Sequence, residues 1–82
     1  MKRYLVETTH KKEQCLTVMK NFALTGHIKI FNWGCKDGVC TGWAIIKADS
    51  KGEALLSVPA PERNTTRVIE VKKFGSYHIL VL

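Results

Sequence analysis

The chain has 82 residues, 45% hydrophobic and 24% charged, and a formal net charge of +6 from 13 Lys and Arg against 7 Asp and Glu. A length of this order suits one domain, read over residues 1–82, and leaves no room for a second core. Only 6 Gly and 2 Pro argue against a disordered segment, and the basic residues, scattered from Lys2 to Lys73 without a long run, read as a solvated surface rather than a nucleic-acid footprint.

Residues 2–8 form the first expected strand, because Tyr4-Leu5-Val6 is a compact β-prone run of the kind covered on both faces. That run is far too short for a signal-peptide core or a membrane span, so a cytoplasmic protein without membrane contact is expected. Reduced thiols are then the default for its three cysteines. Thr9 is a candidate N-cap for a helix over about 11–25, on which Cys15, Met19, Phe22 and Ala23, widened by Leu16 and Val18, make an apolar stripe. Gly26 suits a left-handed C-cap.

From His27 to Trp33 the chain reads as a second strand, and Trp43 to Ala48 as a third, joined across Asp37-Gly38. Asp-Gly between β-prone runs predicts a type I′ turn. With that turn Trp33 pairs with Gly42, Phe31 with Ala44, and Cys35 with Cys40. One face then carries Phe31, Trp33, Cys35, Cys40, Ala44 and Ile46 and belongs under helices. The other carries Ile28, Ile30, Val39, Trp43 and Ile45 beside Asn32 and Thr41, too apolar for a face left in water.

Ser50 and Glu53 are spaced as a capping box for a short helix, which Pro59 and Pro61 end. Arg67 to Phe74 alternates as a last strand, and the apolar tail Tyr77 to Leu82 suits an extra edge strand or a contact with a partner. The expected order is thus β-α-β-β-α-β: an α+β, ferredoxin-like, four-stranded antiparallel sheet of order 4-1-3-2 with two helices on one face.

The opening Met1-Lys-Arg-Tyr-Leu-Val6 strand, the Trp33-Gly-Cys35 hairpin, Gly42-Trp-Ala-Ile-Ile-Lys-Ala-Asp49 and the strand Val68-Ile-Glu-Val-Lys72 together resemble small uncharacterised families of the dimeric α/β-barrel superfamily. The resemblance covers roughly residues 1–74. It implies a homodimer formed by packing open sheet faces, and its relatives include oxygenases, isomerases, stress-response proteins and ligand-binding modules. Architecture of this kind does not select an activity.

Candidate chemistry is sparse. Cys35 and Cys40, opposed in the expected hairpin, fit reduced structural thiols, an oxidised pair, or half of a zinc site completed by His10 or another subunit. Cys15 reads as a small core residue. His10 fits helix capping as well as chemistry. No nucleophile–base pair, carboxylate pair or phosphate loop can be assembled, so no catalytic residue is assigned and no cofactor is specified. The functional expectation is a homodimeric small-molecule binding protein, its ligand or dimer face made by Trp43, Asn32, Thr41, Ile30 and Ile45. The alternatives are a small cofactor-independent enzyme and, less in keeping with the aliphatic face, a basic RNA-binding module.

Overall fold

The computed structural model describes residues 1–75; the tail expected as an extra strand lies outside them. Strand β1, Lys2–Thr9, alternates strictly: Tyr4, Val6 and Thr8 are buried, whereas Leu5 and Glu7 are half-buried. The expectation that both faces of β1 are covered is therefore corrected. Only one face is sealed, because both helices approach from the same side.

After a 3₁₀ turn at Lys12–Gln14, helix α1 runs from Cys15 to Leu24. Its inward stripe is Cys15, Val18, Met19 and Phe22, the spacing one helical face requires. Leu16 and Ala23, expected on that stripe, point to solvent. No Thr9 cap forms; the residue before the first turn is Lys11, without a side-chain capping bond. Gly26 does leave the helix in the left-handed region at φ 75°, and its N–H donates to the Ala23 carbonyl.

The expected second strand is mostly absent. His27–Ile30 forms a 3₁₀ turn, and β2 is only Asn32–Trp33. The cause is visible in the packing of Trp33, whose indole N–H donates to the Ile28 carbonyl and holds the turn closed. The Phe22 ring meets Phe31 and Trp33 nearly edge-on, at centroid distances of 5.2 and 4.9 Å. Ile28 consequently packs against the core rather than on the open face.

The connection to β3, Thr41–Ala48, also differs from the type I′ turn. Cys35–Asp37 is a 3₁₀ turn, and Gly38 alone takes positive φ, at 82°. A type I′ turn would place Asp37 there as well, at a steric cost that this longer loop avoids. The Gly34 carbonyl accepts from the N–H groups of both Asp37 and Val39, and the Gly34 N–H donates to Thr41. The strand register remains as expected, with Trp33 opposite Gly42 and Asn32 opposite Trp43. Cys35, however, is lifted out of the ladder and does not face Cys40 as a strand pair.

Helix α2 is short, Lys51–Leu55, and its Ser50 cap accepts from the Glu53 N–H at 3.1 Å. A six-residue 3₁₀ segment, Ala60–Thr65, leads into β4, Thr66–Glu70, which ends earlier than Phe74. The Val71 N–H still donates to the Arg3 carbonyl. All pairings are antiparallel, and the order is β2-β3-β1-β4; counted from the opposite edge the neighbours are β4-β1-β3-β2. Val18 and Phe22 of α1 and Ala54 of α2 share one core with Tyr4, Val6, Ala44, Ala48 and Val58. The other face of the sheet, carrying Leu5, Glu7, Trp43, Ile45, Arg67 and Ile69, has no helix over it among the described residues. Among the described residues no helix is long and apolar enough to cross a membrane.

Trp33 lies flat over Gly42, where an added Cβ would come within 2.5 Å of the indole ring. Gly42→Ala should therefore cost about 1–3 kcal/mol of stability through overpacking. A urea melt with a lowered midpoint and unchanged slope is the expected result; an unchanged midpoint would mean that Trp33 can retreat.

Candidate metal centre

The site lies at one end of the sheet, where β1 stops. His10 is the next residue after that strand and continues its alternation, so it turns to the helix-bearing side and is 9% exposed. Its backbone N–H donates to the Cys40 carbonyl at 3.0 Å, adding a rung beyond Thr9 and Thr41. Cys15 opens α1, and as a half-buried residue of its inward stripe it faces the same region. Cys35 arrives from the 3₁₀ turn, its sulfur 3.9 Å from His10 Nε2.

These three side chains converge. The donor atoms of His10, Cys15 and Cys35 all lie within 4.8 Å of one another. Burial pushes the Cys35 thiol up from its ordinary range, and the neighbouring Cys15 and Cys40 thiols push it the same way. Burial lowers the His10 pKa, against a smaller opposing pull from the Glu62 carboxylate. The cluster without a cation is therefore a neutral imidazole beside a protonated thiol, since a thiolate here would be poorly solvated and crowded by like charge. A bound cation reverses that balance.

Glu62 is the other buried ionisable group nearby, at 7% exposure. Its Oε1 accepts from the Asn21 amide at 3.0 Å, while among the described residues neither its Oε2 nor the buried His10 Nδ1 has a hydrogen-bond partner. Both residues line one cleft of about 340 Å³ with Glu13, Gln14, Thr17 and Thr65. Two orphaned polar atoms bordering one cleft are the arrangement in which a bridging water holds an imidazole N–H against a carboxylate.

Of the residues expected at a metal site, His10 and Cys35 come together, and Cys40 lies opposite His10 through the backbone while its sulfur is not part of the trio. Cys15 was hidden by its place on an apolar stripe. The signal available for it was a His four residues past a strand's centre followed by a Cys in the first turn of the next helix, which brings both to one sheet end.

The residues expected on the ligand or dimer face separate into two groups. Trp43 and Ile45 do lie on the sheet face turned away from the helices, together with Leu5 and Ile69, and Ile45 is 57% exposed. Asn32 is exposed opposite Trp43. Ile30 is instead in the 3₁₀ turn before β2, because that segment does not extend. The polar groups beside Trp43 are engaged internally: its indole N–H donates to Glu7 Oε2 at 3.0 Å, and the buried Thr41 hydroxyl is 3.4 Å from that of Thr9. Comparison with family models, with curated proteins and with solved structures finds no match for this chain.

Proposed function

We propose that the chain is a small binding domain of ferredoxin-like architecture whose ligand is a thiophilic divalent metal ion. The observation that carries this reading is the convergence of His10, Cys15 and Cys35 within 4.8 Å. Two sulfurs and one nitrogen select zinc-like ions over magnesium or calcium, which prefer oxygen. Tetrahedral zinc bond lengths imply donor–donor separations of about 3.5–3.8 Å. The 3.9 Å between Cys35 Sγ and His10 Nε2 is already close to that spacing. Glu62 Oε2 and His10 Nδ1 are both buried without a partner among the described residues, and in this reading the carboxylate supports, through a bridging water, the ring orientation that leaves Nε2 for the ion.

A second reading concerns the uncovered face. Leu5, Trp43, Ile45 and Ile69 form an apolar band flanked by Arg3, Lys47 and the Glu7–Arg67 ion pair. Aliphatic side chains in the middle and charges of both signs at the margins suit a second copy of the chain better than the stacked bases of RNA. The homodimer implied by the dimeric α/β-barrel resemblance is the form this reading takes.

Titration of reduced, chelator-free protein with zinc should reach one equivalent per chain and raise the melting temperature. At a free ion concentration 100 times the dissociation constant the gain is about 2.7 kcal/mol. His10→Ala and Cys15→Ser should each weaken binding by more than about 100-fold, and Glu62→Gln by about 10–100-fold, the range for groups that support a metal-bound histidine. Wild-type affinity in all three variants would remove the site. For the uncovered face, sedimentation should give twice the chain mass for the parent and a single chain for Ile45→Asp; equal masses would discard self-association through this band.

A further inference from the structure

Three ligands leave one position of a tetrahedral ion unassigned. We infer that Cys40 fills it, closing a Cys3His site in which His10, Cys15, Cys35 and Cys40 hold the ion without an open position. This rests on the metal-binding reading above and specifies how that site is completed.

The β1–β3 register sets Cys40 beside His10. Thr8 faces Gly42 and Thr9 faces Thr41, so the next pair is His10 and Cys40, joined by the His10 N–H to Cys40 carbonyl bond of 3.0 Å. Val6, Thr8 and His10 face the helix side from β1, as Ala44 and Gly42 do from β3, while Cys40 leads into β3 through a tight turn in which the Thr41 N–H donates to the Val39 carbonyl at 2.8 Å. Directly opposed, hydrogen-bonded residues of antiparallel strands carry their Cα atoms about 5.5 Å apart. Cys40 thus begins beside one ligand. It is half-buried, as Cys15 and Cys35 are.

The Cys40 sulfur is not itself within the close trio of donor atoms. A change of χ1 between staggered wells moves a cysteine sulfur by about 3 Å, which lets Cys40, already paired through its backbone with His10, turn its sulfur toward the ion. The segment between Cys35 and Cys40 can follow, since it is tied to itself through the Gly34 carbonyl and turns at Gly38 rather than being locked in the ladder. Glu62 does not compete for the position. One of its oxygens accepts from the Asn21 amide, and neither is among the donor atoms that converge with those of His10, Cys15 and Cys35.

The chemistry balances simply. A divalent ion displaces three thiol protons to solvent and binds three thiolates and a neutral imidazole, leaving a centre of charge −1 with no exchangeable site for water. Such a centre holds its ion for structure or storage, whereas a three-ligand centre keeps a position for substrate.

Cobalt(II) replacing zinc gives the test, because its sulfur-to-metal charge-transfer absorption scales with the number of bound thiolates. The wild-type protein should show tetrahedral cobalt with three-thiolate intensity, and Cys40→Ser should lose about one third of that band and bind more than tenfold more weakly. Calorimetry of the wild type in buffers of different ionisation enthalpy checks the same point without a variant: close to three protons are released per ion at neutral pH, one from each thiol that binds. If wild-type cobalt binding shows two-thiolate intensity, two protons and an unchanged Cys40→Ser spectrum, Cys40 is not a ligand and the three-residue site stands alone. If no cobalt binds, the metal-binding reading itself fails.

Discussion

The central pairing of β1 with β3 is the constraint on which everything else depends. It runs without a break from Lys2 opposite Ala48 to Thr9 opposite Thr41. A shift by one residue would exchange Tyr4, Val6 and Thr8 for Leu5 and Glu7 beneath the helices, burying a carboxylate and exposing a tyrosine and a valine. The register is therefore enforced by the core, and the core in turn determines which residues emerge at its end. His10 is buried there because Val6 and Thr8 are buried before it. The chemistry of the site is a continuation of the packing pattern of the sheet.

The aromatic trio reinforces this from the other side. Trp33 can lie over β3 only because position 42 has no side chain, and its placement brings Phe31 and Phe22 into contact around it. Phe22 fixes the roll of α1, and with it the direction of Cys15 seven residues earlier on the same helical face. Two of the convergent donors are thus held by hydrophobic packing rather than by polar contacts. That is the condition for a preorganised site.

Much of this was legible beforehand, for local reasons. β1 and β3 announced themselves by composition, Gly26 by its place after an apolar stripe, Ser50 by its spacing to Glu53, and the Trp33–Gly42 pairing by the Asp-Gly position that centres the loop. The errors came where a tertiary contact overrode a local preference. His27 to Phe31 is β-prone, yet the indole of Trp33 captures the Ile28 carbonyl and makes a turn instead. Asp37-Gly38 favours a tight turn in isolation, but Gly34 offers its carbonyl to two donors and a wider loop results. The site suffered the same way. A half-buried cysteine on an apolar stripe looks like core until the strand end it faces is known, and that depends on a contact between elements.

The shortness of β2 has a consequence for assembly. A long outer strand would present a row of free N–H and C=O groups, the template on which other chains add strands and sheets grow into fibres. Here the residues ahead of Asn32 are wound into a 3₁₀ turn, so β2 pairs with only Gly42 and Trp43 of β3 and leaves the rest of that strand, through Ala48, without a β2 partner. That stretch is the part of this border on which a further strand has groups to pair with. The exposed Lys47 in it is the kind of charged side chain that opposes uncontrolled edge-to-edge growth.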